Sequence, residues 1–187
     1  MTIGRAIVVT APGSGHGKTT VSLGLMRAFR DAGLSVTSAK SGHDYIDPAF
    51  HRLATGHPSI NLDPWAMSAD RRRSLLASAS GDLTIVEGAM GALDSAADGL
   101  GSTADLAAEL SLPAVLVVDV SGQGQSAAIA PAGLKAIRPD LAIAGIVLNN
   151  LGSSRHEKFA AHACEEFGFR VFGSIKRDPT LSIPTRH

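Results

Sequence analysis

A phosphate chain could be held by the stretch APGSGHGKTT at residues 11–20. Its small residues let the backbone curl, so that several N–H groups point at phosphate oxygens. In this pattern Lys18 reaches the terminal phosphates and the Thr19 hydroxyl ligates Mg²⁺. The common pattern G-x-x-x-x-G-K-T begins with glycine, whereas this one begins with Pro12. The stretch follows an apolar run and opens a helical one, which is the context that a phosphate-binding loop requires.

A second candidate for chemistry is the stretch KSGHDYIDPAFH at residues 40–51. Polar side chains crowd into its first eight positions: Lys40, Asp44, Tyr45 and Asp47. His43 and His51 flank them, and Pro48 argues against one continuous helix through the stretch. A surface loop or a turn shaped by Asp47 and Pro48 could look like this. A site that handles phosphate, metal and a carboxylate would look the same.

The elements that must position these residues alternate between strands and helices. Short apolar runs predict strands at 6–11, 34–39, 83–88, 113–120, 143–150 and 169–175. Helical patterns cover 18–32, the residues after Ser102, 124–137 with a break at Pro131, and the residues from Ser153 or Ser154 to Gly168. Region 56–81 is the least regular and is interpreted as an inserted helical segment. This alternation predicts a single α/β domain over 1–187, with a mainly parallel sheet covered on both faces.

Ligands of such sheets gather outside the carboxyl ends of the strands. Polar side chains stand at those ends: Glu87, Asp94, Asp119, Asn149 and Asn150. Mg²⁺ prefers one or two carboxylates together with phosphate and water oxygens. Thr19, one of Asp44 and Asp47, and Glu87 form a plausible set. A solvated acid with no role is unexpected for Glu87, because it ends an apolar strand.

Composition narrows the classes of function. The 187 residues carry 17 basic and 17 acidic side chains, and only 4% of residues are aromatic. Neither property favours a nucleic-acid or anionic-membrane partner. The single cysteine, Cys164, cannot form an internal disulfide, and this is typical of a cytoplasmic protein. Cys164 is expected to be buried in a helix. No membrane-length apolar stretch or signal peptide is recognisable.

Six separated stretches together resemble one family. They are APGSGHGKTT, KSGHDYIDPAFH, VEGAMGALDS, GSTADLAAELSLPAVLVVDVSGQGQSAA, GIVLNNLGSSRH and IKRDPTLSIPTRH. They look like the amino-terminal ATP-binding domain of cobyrinic acid a,c-diamide synthases, a group that includes the hydrogenobyrinic acid enzymes. The resemblance implies a three-layer P-loop NTPase fold related to dethiobiotin synthetase. It also implies ATP- and Mg²⁺-dependent amidation of the a- and c-acetate side chains of a corrin precursor, with glutamine as the ammonia source.

The resemblance assigns roles to individual residues. Those implied to hold ATP are Gly13, Ser14, Gly15, His16, Gly17, Lys18, Thr19, Thr20, Asn149, Arg177 and Asp178, the last three near the adenine. The implied Mg²⁺ ligands are Thr19, Asp44 and Glu87, and the implied catalytic residues are Lys18, Lys40, Asp44 and Glu87. Lys40 would stabilise charge on the transferred phosphoryl group. Tyr45 and Asp94 would contact the tetrapyrrole. His43 and Ala89 depart from the family pattern, which usually has proline and a bulkier apolar residue there.

The resemblance also implies partners. Such synthetases continue into a glutaminase domain with a cysteine nucleophile, which this sequence does not contain. We therefore expect a glutaminase domain or subunit to supply ammonia, and a tetrapyrrole polycarboxylic acid to be the substrate. The sequence leaves open the macrocycle, whether both carboxylates are amidated, whether the chain is a fragment or a split subunit, and whether it forms a homodimer.

Two other functions of the same fold compete with this interpretation. Partition- or switch-type ATPases usually carry K-G-G-x-G-K-T, but Gly13 stands at the position of the first lysine. They commonly have aspartate where this chain has Glu87. A dethiobiotin synthetase-like ligase is a closer competitor, and the segment DYIDPAFH argues against it. Fold kinship alone does not separate these functions.

Overall fold

The computed structural model describes residues 3–95 and 99–181. Its strands are β1 (Ala6–Thr10), β2 (Val36–Ser41), β3 (Ser59–Leu62), β4 (Leu83–Glu87), β5 (Ala114–Asp119), β6 (Ile143–Leu151) and β7 (Val171–Lys176). The α-helices are α1 (Lys18–Asp31), α2 (Asp47–Thr55), α3 (Ala69–Ala77), α4 (Thr103–Glu109), α5 (Ile129–Ile137) and α6 (Ser154–Glu166). A short 3₁₀ helix, Gln125–Ala128, leads into α5. Within the described residues, no helix is long and apolar enough to cross a membrane.

The seven strands form one sheet in the order β3-β2-β4-β1-β5-β6-β7, and all of the paired strands are parallel. From β1 the chain first builds one half of the sheet and then, after β4, crosses to the other side of β1. Such a reversal creates a crevice at the carboxyl ends of the central strands. The phosphate-binding loop follows β1 and therefore opens into this crevice.

Two apolar cores cover the two faces of the sheet. Val8 of β1 belongs to the core beneath α3 to α6, whereas its neighbour Val9 belongs to the core beneath α1. Successive strand side chains point to opposite faces, so a strand buried on both sides is apolar throughout. The predicted three-layer α/β architecture is confirmed.

The helix boundaries follow their capping residues. Ser102 and Asp105 form the expected capping box at α4, with the Ser102 hydroxyl accepting from the Asp105 N–H and the Asp105 carboxylate accepting from the Ser102 N–H. Ser153, rather than Ser154, caps α6. Pro131 lies in the first turn of α5, where its missing N–H is tolerated. The predicted break is not at this proline: the 3₁₀ helix changes to α5 between Ala128 and Ile129, and α5 continues through Pro131.

One part of the secondary-structure prediction was wrong. Region 56–81 was interpreted as an inserted helical segment, but it contains the edge strand β3 before α3. The strand is only four residues long, Ser59–Leu62. So short a run gives no clear period-2 pattern, and it is recognised only by its pairing with β2.

Candidate functional site

Three neighbouring strands bring the predicted residues to one edge of the sheet. Lys40 of β2 is the register partner of Glu87 of β4, which in turn pairs with Val9 of β1. The phosphate-binding loop begins just beyond β1. A cavity of about 910 Å³ opens at this edge. It is lined by the loop, by the ends of β2 and β4 and by residues that follow β3.

The phosphate-binding loop is braced from the other half of the sheet. Gly17 has a φ of +88°, and a Cβ added to it would lie 2.2 Å from Nδ2 of Asn149. That same Nδ2 donates a hydrogen bond of 3.0 Å to the carbonyl of His16. The Asp119 N–H donates to Nδ1 of His16 at 2.8 Å. Burial lowers the pKa of His16, which keeps the ring neutral and Nδ1 able to accept.

Glu87 is the centre of the site. Its side chain is fully buried, and each of its two carboxylate oxygens contacts a different set of side chains. Oε1 accepts from the Thr19 hydroxyl at 2.5 Å and from Lys40 Nζ at 3.1 Å, while Oε2 lies 2.7 Å from Nε2 of His51. Burial alone would raise the pKa of Glu87, but His51, Lys40 and Thr19 together hold this pKa below its usual value. Glu87 is therefore a buried carboxylate.

Lys40 is fully engaged by protein acceptors. Its ammonium lies 2.5 Å from Oδ2 of Asp47 and 3.1 Å from Oε1 of Glu87, and it donates to the Gly88 carbonyl at 3.3 Å. An ammonium has three N–H donors, so each acceptor uses one. Burial opposes the charge, yet the neighbouring carboxylates raise the pKa of Lys40. A phosphoryl contact by Lys40 thus requires one of these bonds to be exchanged, and Asp47 is the more exposed carboxylate partner.

Lys18 lies closer to the loop. Its ammonium donates to the carbonyl of Gly13 at 3.4 Å, and the residue is buried. Burial, and then repulsion from Lys40, lowers the pKa of Lys18. The ammonium is only weakly satisfied by this long bond. An anion in the loop would supply the compensating charge.

The side chains at the cavity fit a hard divalent cation. The Thr19 hydroxyl and the Glu87 carboxylate are oxygen donors in direct contact, at the mouth of a phosphate-binding loop. In the described ranges, no group of three or more His, Cys, Asp and Glu side chains could hold a metal. Mg²⁺ rarely needs one, because it usually keeps water and phosphate oxygens as ligands. Asp44 also lines the cavity, and its Oδ1 accepts from the N–H groups of Ile46 and Asp47 at the start of α2.

The two predicted substrate residues have different surroundings. Asp94 is exposed, lines the cavity and accepts from the Gly91 N–H at 2.7 Å through Oδ2. Tyr45 is 83% exposed and projects from the turn before α2. Apolar side chains on the wall of the cavity were not predicted as part of the site. Three of them are largely exposed: Trp65, Met90 and Leu100. Trp65 follows β3, the strand that was not predicted, so no positional signal pointed to it.

Arg177 and Asp178 follow β7, at the same end of the sheet as Asn149. The Arg177 N–H donates to the Leu151 carbonyl, and Asp178 Oδ1 accepts from the N–H and hydroxyl of Thr180. Both residues are exposed and lie outside the lining of the cavity. The structure thus places them at the carboxyl edge of the sheet but not in the pocket around Glu87.

The position of His51 beside Glu87 was not predicted from the sequence. It is fully buried, and its ring lies between Glu87 and Ser59. A signal was present: Asp47 and His51 are four positions apart, so a helix over this stretch would place both on one face. Pro48 obscured it by arguing against a continuous helix. In the structure Pro48 occupies the first turn of α2, where proline is well tolerated.

The sheet order, the loop between β1 and α1 and the carboxylate at the end of β4 define a P-loop nucleotide-binding domain. Solved structures agree on the fold. The cell division protein FtsY of Thermotoga maritima matches with a TM-score of 0.66 at 17% identity, covering 94% of this chain and 63% of that one. The signal recognition particle 54 kDa protein of Aeropyrum pernix, in complex with GDP, gives 0.63 at 17% identity, over 95% and 42%.

The chain belongs to the CbiA family, the CobQ/CobB/MinD/ParA nucleotide binding domain, whose model matches residues 7–187. The enzyme named hydrogenobyrinate a,c-diamide synthase from Mesorhizobium japonicum is 50% identical over 98% of this chain. The enzyme of that name from Rhizobium meliloti is 47% identical over 98%. The chain spans 43% of the length of each of these relatives.

Proposed function

We propose that this chain is the ATP- and Mg²⁺-binding synthetase part of an a,c-diamide synthase in cobalamin biosynthesis. It would amidate the a- and c-acetate carboxylates of a corrin precursor, hydrogenobyrinic or cobyrinic acid. The observation that carries this proposal is the contact of Thr19 and Lys40 with the buried carboxylate of Glu87, beside the phosphate-binding loop. The names of the relatives support the substrate class.

The chemistry requires an activated carboxyl group, because a carboxylate is a poor electrophile for ammonia. A substrate carboxylate oxygen attacks the γ-phosphorus of ATP, and the bond between that phosphorus and the β–γ bridging oxygen breaks. The products are ADP and an acyl phosphate. Ammonia then attacks the acyl carbon, and phosphate leaves with the original carboxylate oxygen. No protein nucleophile is needed for either step.

The chain's own residues position charge for this transfer. The N–H groups of the loop and the N-terminus of α1 favour the phosphates. Lys18 and Lys40 would offset negative charge that spreads over the γ-phosphoryl oxygens. Thr19 and Glu87 would hold Mg²⁺, with Asp44 as the third candidate ligand, and the ion would supply positive charge that offsets the charge of the phosphates. Asp94, which lines the cavity, and Tyr45, which lies outside its lining, would contact the substrate acid.

We also propose that ammonia comes from a glutaminase domain or subunit. Burial, followed by the charge of Glu165, raises the pKa of the Cys164 thiol. The thiol is 0% exposed on the inner face of α6. A reactive cysteine needs an exposed, electropositive setting that lowers its pKa. These surroundings support a structural role for Cys164, and another polypeptide region would release ammonia from glutamine.

The proposal is tested with ATP, Mg²⁺, ammonium chloride and hydrogenobyrinic acid, so that no glutaminase is required. Mass spectrometry follows formation of the diamide. We expect a Lys18→Ala variant to lose amide formation by at least about 100-fold, since removing one charge-stabilising donor commonly costs that much. Lys158→Ala, an exposed lysine on α6, is the matched control and should keep the wild-type rate. Equal rates for Lys18→Ala and wild type would refute the mechanism.

A further inference from the structure

His51 is a polar ring sealed inside the molecule. It is 0% exposed, and both of its nitrogens have partners. Nε2 lies 2.7 Å from Oε2 of Glu87, and Nδ1 lies 3.2 Å from Oγ of Ser59. The ring therefore joins α2, β3 and β4 at the floor of the cavity. A histidine that served only packing could be replaced by an apolar side chain, whereas this one ends on the carboxylate at the centre of the site.

The carboxylate end of this pair of hydrogen bonds has a fixed direction. Glu87 can only accept, so Nε2 of His51 must carry the hydrogen. Nδ1 of His51 and the Ser59 hydroxyl form the second hydrogen bond. A chain of hydrogen bonds thus joins Ser59, His51 and Glu87. Oε2 is occupied from inside the protein, and Oε1 faces Thr19 and Lys40.

This division of the two oxygens has a geometric consequence. A glutamate side chain has three rotatable bonds, and its terminal carboxylate rotates broadly unless both oxygens are held. Thr19 and Lys40 both contact the same oxygen, so neither fixes the plane of the carboxylate. His51 supplies the second point of attachment. Partners of this kind, which act behind a metal ligand, orient the ligand and tune its affinity.

We propose that His51 is a positioning residue that fixes the carboxylate of Glu87 so that Oε1 stays directed at the Mg²⁺–nucleotide site. This inference rests on the proposed function, because it takes Glu87 to be a Mg²⁺ ligand. His51 itself is buried and does not line the cavity. Its effect should therefore appear in the Mg²⁺ dependence of nucleotide binding, and much less in binding without the metal.

The test compares two substitutions of similar size. His51→Gln keeps an N–H donor near the position of Nε2, whereas His51→Leu keeps volume and removes the donor. His162→Gln, at an exposed position on α6, is the control for the chemical change. Binding of a fluorescent ATP analogue is titrated with Mg²⁺, and again in EDTA, with thermal unfolding measured in parallel. Ser59→Ala removes only the hydroxyl behind Nδ1.

We expect His51→Leu to raise the Mg²⁺ concentration needed for half-maximal binding by roughly 10-fold, the lower end of the range for outer partners of metal ligands. His51→Gln should restore most of this loss, Ser59→Ala should show a smaller loss, and binding in EDTA should not change. If His51→Leu fails to fold, the smaller loss expected for Ser59→Ala decides the matter. An unchanged Mg²⁺ requirement in folded His51→Leu or, where that variant does not fold, in Ser59→Ala would overturn the inference, as would equal losses for His51→Gln and His51→Leu. Absence of any Mg²⁺ effect in the wild type would instead overturn the proposed function.

Discussion

Replacement of Lys40 by methionine should destabilise the protein strongly, because it leaves a buried carboxylate without its cation. The side chain of Lys40 is 6% exposed and that of Glu87 is 0% exposed. Removing one partner of a buried ion pair typically costs about 3–5 kcal/mol. Asp47 is 21% exposed, so water can replace part of its lost contact. Glu87 also keeps the His51 and Thr19 donors, which favours the lower end of the range, about 3 kcal/mol.

A double-mutant cycle separates the free energy of the Lys40–Glu87 interaction from the free energy lost through poorer packing. The variants are Lys40→Met, Glu87→Gln and the combination, and urea denaturation gives the free energy of unfolding of each. In the double variant no buried charge is left unpaired at this position. Its destabilisation should therefore be smaller than the sum of the single values, by about 1–3 kcal/mol. Lys158→Met on the surface of α6 should change the free energy by no more than about 0.5 kcal/mol.

Two outcomes would refute this reasoning. A cost below about 1 kcal/mol for Lys40→Met would show that the pair behaves like an exposed salt bridge. Additive single and double variants would show that Lys40 and Glu87 do not stabilise each other. Either result would remove the physical basis for treating Glu87 as a charged ligand held ready at the cavity.

Two other regions give further predictions. Gly17→Ala should weaken ATP binding by more than about 10-fold, since its left-handed φ costs about 1–2 kcal/mol and its Cβ would also strike Asn149. Gly15 has a similar φ, but an added Cβ would meet open space, so Gly15→Ala should lose less ATP affinity in equilibrium binding. Equal losses of affinity would show that the Asn149 contact is irrelevant. Asp105→Asn should lower the free energy of unfolding by about 1 kcal/mol at pH 7, through the capping box of α4 and the ion pair with Arg138. Hydrogen bonds and Arg138 outweigh burial and lower the pKa of Asp105, so this stabilisation is present above about pH 3.9 and disappears as pH falls through the folded pKa. Unfolding curves of the two proteins should therefore converge at low pH, and a constant difference would contradict the assignment.

The sequence predicted the fold because its elements have strong local signals. Strands such as β5 are apolar on both faces, and the loop before α1 combines glycines with lysine and threonine in a recognised spacing. Sheet order could be inferred only in general terms. The edge strand β3 was missed, since four residues carry too little pattern and their pairing with β2 is a tertiary property.

The candidate site was predicted in part of its membership, without His51 or Trp65, and not in its contacts. Thr19, Lys40 and Glu87 do meet at one point, as the rule for the carboxyl ends of parallel strands requires. The spacing of residues could not show that Asp47 pairs with Lys40, or that Asn149 braces the phosphate-binding loop. The Asn149 contact joins segments far apart in sequence. Lys40 and Asp47 are close in sequence, but their contact depends on how α2 is placed relative to β2. The off-pattern His43 lies near the rim, 3.4 Å from Asp63 through Nδ1, and is 84% exposed.

The central claim is that a substrate carboxylate becomes an acyl phosphate in this site. It is tested most directly by labelling the acetate carboxylates of hydrogenobyrinic acid with ¹⁸O and running the reaction with ATP, Mg²⁺ and ammonium. Because the phosphate leaves with an oxygen that began on the carboxylate, we expect one ¹⁸O in the phosphate for each amide formed, measured by ³¹P NMR. Amide formation with unlabelled phosphate would contradict the account.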